Sequence, residues 1–188
     1  SGRAAVAARL KHLGFKMDAP EVGSIFDKFK EIGDKKKFVY DDDLAALVEG
    51  HITTVPETWS LYYLSVSTGN QTVPTATVRL TRKTGRQTEV KQDANIGDGP
   101  VDASLKAIDR ITTTKGKLMD YTIRAVSQGK DALGEVTVKV DFGGSTEWVS
   151  GRGASTDIIE ASARAYLNAV NRHLNMAKKT RKRKPRQP

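Results

Sequence analysis

One order of periodicities is written twice in this chain, and few folds can accept it. Three stretches that alternate apolar and polar residues lead into a Gly-x-Gly corner, and a segment with an apolar residue every three or four positions follows. In the first copy the stretches are Trp59 to Ser67, Val73 to Thr81 and Gln87 to Ala94. The corner is Gly97-Asp98-Gly99-Pro100, and Val101, Leu105, Ile108 and Ile111 mark the segment after it. In the second copy they are Leu118 to Ser127, Glu135 to Phe142 and Thr146 to Ser150, with a corner at Gly151-Arg152-Gly153 about 54 residues after the first. The closing segment runs from about Thr156 to Leu174, and its Ala161, Ser162, Ala163, Ala165 and Ala169 are small enough for close approach to a sheet or a partner helix. Period two predicts strands and period 3.6 predicts helices. The expected fold class is therefore α+β, with two tandem βββα units over about 55–114 and 115–174.

A different grammar precedes them. Val6, Leu10 and Leu13 fall on one helical face that Gly14 would end, and Asp18-Ala19-Pro20-Glu21 reads as a capping box opening a second helix through Val22, Ile25, Phe26, Phe29 and Ile32. Asp41 to Asp43 put negative charge at the start of a third, with Leu44, Leu47 and Val48 facing inward. Residues 1–54 are thus expected to be a small three-helix linker subdomain, with Gly50 to Pro56 joining it to the repeats.

The formal net charge is +9, and its location decides what it implies. Lys178, Lys179, Arg181, Lys182, Arg183, Lys184 and Arg186 lie at the end with no acid among them, so without these seven the remainder carries only +2. Residues 175–188 are expected to be a basic, disordered tail. There is no cysteine, hence no disulfide or thiolate metal site, and no apolar run of membrane-spanning length. The expected location is the cytoplasm, or an organelle in a plant or fungus.

Signatures of catalysis are missing. His12, His51 and His173 are scattered, with no metal-ligand spacing among them, and neither Gly-x-Gly continues into a dinucleotide fingerprint or a phosphate-binding loop. A glycine corner feeding a helix does leave unpaired N–H groups beside a positive dipole end, which suits a small anion.

At these same corners the sequence resembles a known family. Gly97-Asp98-Gly99-Pro100-Val101-Asp102-Ala103 and Gly151-Arg152-Gly153-Ala154-Ser155-Thr156-Asp157-Ile158-Ile159-Glu160-Ala161-Ser162-Ala163 resemble the C-terminal regulatory domain of 2-isopropylmalate synthase. Asp120-Tyr121, the Gly129 to Ala132 turn and Asn168-Ala169-Val170-Asn171-Arg172 fit as well, and the N-terminal part looks like that enzyme's helical linker. The resemblance implies a fragment without the catalytic TIM barrel, in which a divalent metal is used. No cofactor is then expected in this chain, and no activity of its own. It also implies leucine as feedback effector, a homodimer, and the barrel of the parent enzyme as partner. By motif, Gly97, Asp98, Gly99 and Val101, with Leu118, Tyr121, Ala125, Ala132 and Ile158, would line the effector pocket. The isoleucine-sensing domain of citramalate synthase is the near alternative. A basic-tailed nucleic-acid module and a purely structural dimerisation unit are the alternatives of other classes. Neither membrane nor nucleic acid is an expected partner.

Overall fold

The computed structural model of the chain describes residues 2–35, 41, 44–45, 47–48, 58–126, 128–143 and 147–183, and of residues 32, 34, 35 and 179–183 the backbone alone. The Gly50 to Pro56 joint, His51, Asp42, Asp43 and residues 184–188 lie outside the described residues. Helix α1 spans Gly2–His12 and α2 Ala19–Lys35. The capping box forms as its spacing requires: the Asp18 N–H donates to Glu21 Oε2 at 2.8 Å, and the Glu21 N–H to Asp18 Oδ1 at 2.9 Å. Asp41, Leu44, Ala45, Leu47 and Val48 have helical backbone, and Asp41 pairs with Arg9. Val6, Leu10, Phe15, Ile25, Leu44 and Val48 form the small core of this unit.

Each repeat builds its own three-stranded antiparallel sheet in simple order. The first holds β1 (Ser60–Gly69), β2 (Thr72–Thr84) and β3 (Gln87–Ile96), covered by α3 (Pro100–Thr112). The second holds β4 (Lys117–Ala125), β5 (Gly134–Asp141) and β6 (Val149–Ser155), covered by α4 (Ile158–Arg183). Alternation places Ala76, Val78 and Leu80 of β2, and Val136, Val138 and Val140 of β5, wholly inside. With Ile108 of α3 and Tyr166 of α4, Val78, Leu80, Val136, Val138 and Val140 belong to one continuous core shared by both repeats. α4 continues past Leu174, where its apolar pattern ends, to Arg183. The basic segment expected to be disordered is therefore helical as far as Arg183, and its Lys and Arg residues favour helix.

The repeats match in detail, in a register the sequence did not reveal. The Ser104 hydroxyl donates to the Pro100 carbonyl at 2.7 Å, and the Ser162 hydroxyl to the Ile158 carbonyl at 2.6 Å. Asp102 pairs with Lys106 at 2.7 Å, and Glu160 with Arg164 at 2.6 Å. Each first strand is also interrupted at the same place, between Leu61 and Tyr63 in β1 and between Leu118 and Asp120 in β4. In this register the partner of Gly99 is Asp157, not Gly153. The second Gly-x-Gly is not a corner at all: Gly151 and Gly153 lie within β6. They are needed for packing. A Cβ on Gly151 would sit 2.1 Å from the Ala165 carbonyl oxygen, and one on Gly153 2.4 Å from the Ala165 nitrogen. The small residues expected to allow close approach do so at Ala161, Ala165 and Ala169, against these two glycines.

The helical unit docks on the second repeat. Phe15 bridges to Trp148, with the Lys16 N–H donating to the Trp148 carbonyl at 2.7 Å. Gly14, at φ +87°, turns the chain under the Trp148 ring. Beside this bridge Arg172 of α4 is 2% exposed; its Nη2 lies 3.2 Å from Glu21 Oε1 and donates to the Lys16 carbonyl at 3.2 Å. Burial pulls the guanidinium below its ordinary pKa, against the opposing pull of Glu21 and Asp18.

Glycine substitutions separate these roles. Gly151→Ala drives a methyl into the α4 backbone and is expected to lower stability by about 1–3 kcal/mol or more. Gly33→Ala in α2, where a Cβ meets nothing within 4 Å, is expected to raise it by roughly 0.5–1 kcal/mol. Urea unfolding of the two variants reads both signs.

Candidate functional site

Between the repeats lies an open groove of about 780 Å³. One wall is the start of α3, from Asp98 to Lys106; the other is the approach to β4, from Lys115 to Leu118, with Tyr121; Tyr166 of α4 closes the bottom. Val101, Leu105, Leu118 and the two tyrosine rings give it apolar surface, and Asp98, Lys106 and Lys117 charge its rim. A second cavity, about 720 Å³, lies between the first sheet and α4. It is lined by polar and charged side chains such as Thr81, Arg82, Lys83 and Lys178.

The α3 end of the groove is unusual. Gly99 is the N-cap, in extended conformation at φ −149°, and no side chain caps the helix. Ser, Thr, Asp and Asn at this position supply an acceptor for the first N–H groups, whereas glycine, though also common there, supplies none. Nearby, Asp102 Oδ2 accepts from the Asp98 N–H at 2.9 Å. Burial raises the pKa of Asp102, but the bonds from Lys106 and that N–H outweigh it and hold the carboxyl below its ordinary value. The α4 end is the ordinary case. There Asp157 Oδ1 accepts from the Ile159 N–H at 2.8 Å and from the Glu160 N–H at 3.4 Å.

At the bottom of the groove Asp109 takes a cluster of donors: the Thr114 hydroxyl at 2.7 Å, the Tyr166 hydroxyl at 2.8 Å and the Gly116 N–H at 3.3 Å. Thr113, in left-handed backbone at φ 58°, makes the turn that brings Thr114 and Gly116 round to it. Burial nevertheless dominates and pushes the Asp109 carboxyl above its ordinary range. The same burial, with Asp109 opposite, drives the Tyr166 hydroxyl far above the usual phenol value. Gly116 is required here, since a Cβ would lie 2.1 Å from the Tyr166 oxygen.

Of the nine residues the motifs singled out, the groove brings together Asp98, Gly99, Val101, Leu118 and Tyr121. Gly97 lies behind the corner, its N–H donating to the Pro74 carbonyl, with no room for a Cβ against Ala103. Ala125, Ala132 and Ile158 gather further along β4. There Ala125 pairs with Gly134, Ile158 lies against Gly134, and the Ala132 N–H closes the turn on the Gly129 carbonyl. Tyr121 ties the two places together, because its hydroxyl meets Ser162 Oγ at 2.6 Å and Ser162 donates to the Ile158 carbonyl. Asp109, Gly116 and Tyr166 were missed. One sign of Asp109 was available: an acid in the last turn of a helix opposes the dipole and asks for a local reason.

A model of the LeuA allosteric (dimerisation) domain matches residues 38–174. The chain belongs to that family. Among similar curated proteins are the 2-isopropylmalate synthases of Methylacidiphilum infernorum, 53% identical over 174 residues, and Carboxydothermus hydrogenoformans, 49% over 174. That of Microcystis aeruginosa is 45% identical over 185 residues. These alignments cover 93%, 93% and 98% of this chain but only 33%, 33% and 34% of the relatives, so the chain spans about a third of their length. In this LeuA allosteric domain, no group of three or more His, Asp or Glu that could hold a metal occurs among the described residues, and no described helix is long and apolar enough to cross a membrane.

The Asp109 environment makes a pH prediction. Its folded-state pKa is raised, so the stability it contributes is complete below the ordinary carboxylate pKa and is lost as pH rises through the folded value. Asp109→Asn, which keeps an acceptor but cannot ionise, is expected to lose stability relative to wild type least at neutral pH and most in acid. Urea unfolding from pH 3 to 7 measures the difference.

Proposed function

We propose that this chain is the regulatory portion of a 2-isopropylmalate synthase and that its groove binds free leucine as a feedback effector. The observation that carries the reading is Gly99. Its backbone is extended, a conformation open to any residue, and a Cβ there would meet nothing within 4 Å. Neither strain nor packing calls for glycine, yet it leaves a helix start uncapped at the mouth of an apolar groove. A ligand carboxylate is the natural acceptor for those N–H groups. In this reading Asp98 meets the ammonium, and Val101, Leu105 and Leu118, which line the groove with it, enclose the branched side chain. Burying that side chain contributes roughly 1.5–3 kcal/mol and the helix end about 0.3–2 kcal/mol, in keeping with a reversible metabolite sensor. Catalysis would belong to a metal-using barrel elsewhere in the parent enzyme.

We also propose that the domain pairs with a second copy of itself. β4 is an edge strand, and of its residues only Tyr121 is half-buried. Leu118, Met119 and Ile123 are exposed along it, Ile123 at 53%. An exposed apolar edge of this length invites another strand or face, and the family description as a dimerisation domain supports a like partner.

Calorimetric titration with leucine, isoleucine and valine tests the effector. Saturable binding strongest for leucine is expected; no heat with any of the three refutes the reading, and a preference for isoleucine reassigns it to a citramalate-type sensor. Gly99→Asp, which supplies a cap from within, is expected to weaken leucine binding more than tenfold, equivalent to about 1.4 kcal/mol, with melting temperature unchanged or higher. Light scattering should return twice the chain mass.

A further inference from the structure

The pseudo-repeat places a second, smaller groove, about 280 Å³, between the start of α4 and β1. Six residues of its lining answer to six of the first: Asp157 stands for Gly99, Ile159 for Val101, Glu160 for Asp102 and Arg164 for Lys106, while Leu61 and Leu64 stand for Leu118 and Tyr121. The matched hydroxyl bonds, ion pairs and strand interruptions fix this correspondence independently of the lining. The apolar wall and the charged pair therefore survive in the second copy. One thing differs at the helix start. Gly99 offers open N–H groups, whereas Asp157 places its own carboxylate on the Ile159 and Glu160 N–H groups.

We propose that the second groove is a closed copy of the first, in which the Asp157 carboxylate occupies the place that a ligand carboxylate takes at Gly99. Asp157 thereby sets the number of effector molecules per chain at one. It also shows the form of the ligand contact: a carboxylate oxygen accepting from the second and third helical N–H groups, those of Val101 and Asp102 in the first groove. Glycine and aspartate at equivalent positions are two solutions of one requirement, an acceptor supplied from outside or from within. The inference rests on the effector reading for the identity of the ligand, and on the repeat geometry alone for the role of Asp157.

Two measurements separate those supports. Leucine titrated into wild type should give one site per chain, and into Asp157→Gly two sites, the second weaker because its groove is smaller. Asp157→Asn keeps a neutral cap and should give one. A single site in Asp157→Gly, with wild-type affinity, overturns the proposal. The second measurement needs no leucine: acetate or 4-methylpentanoate should raise the melting temperature of Asp157→Gly by several degrees more than that of wild type. Chloride at equal ionic strength should not. Equal shifts in both proteins overturn the proposal, whereas rescue without any leucine binding to wild type would refute only the effector reading. Glycine is well tolerated at a helix N-cap, so Asp157→Gly is expected to fold; should it not, Asp157→Ala, which likewise offers no acceptor, is put through both measurements with the same expected and overturning results.

Discussion

The arrangement depends on how closely α4 lies on β6. Helices usually rest on sheets through intervening side chains. Here Gly151 and Gly153 remove those of the strand, and Ala161, Ala165 and Ala169 nearly remove those of the helix, so that backbone faces backbone. Such contact leaves little freedom for the helix to slide, because the nearest atoms are carbonyls and amides with no rotamers to absorb a shift. Around this fixed line both sheets and both helices contribute to one core. A groove between the repeats keeps its shape because the repeats share that core.

The two halves then diverge within the shared plan. The difference is concentrated at the helix starts, where the acceptor is built in at Asp157 and left out at Gly99, and at Tyr121, whose counterpart is Leu64. Tyr121 gains a hydroxyl contact to Ser162 that Leu64 cannot make with Ser104. The donor cluster around Asp109 also has no copy, since Leu167 stands at the matching place and is buried.

Much of the fold was legible because it is written in periodicity. Val78 and Leu80 against Thr77 and Arg79 leave little choice about which face is buried, and Asp18 with Glu21 announces a helix start that forms as spaced. The corners were only half legible. Gly97-Asp98-Gly99 and Gly151-Arg152-Gly153 look alike as strings, but a glycine can serve conformation, close packing or access, and the string does not say which. The aligned repeat separates them: Gly151 admits a helix backbone, while at Gly99 a Cβ would meet nothing within 4 Å. The bottom of the groove was hidden for a different reason. Asp109, Gly116 and Tyr166 meet only after a left-handed turn at Thr113 and a packed helix bring together residues far apart in sequence. No local pattern encodes such a meeting.

One further consequence follows from the length of α4. Tyr166, at the bottom of the groove, and Arg172, the buried anchor of the helical unit, stand on the same helix about 9 Å apart at 1.5 Å per residue. Among the described residues Arg172 Nε and Nη1 have no hydrogen-bond partner, and the contacts of its guanidinium with Glu21 and Lys16 run through Nη2. The groove floor and the seat of the helical unit thus stand on one unbroken helix, fewer than two turns apart.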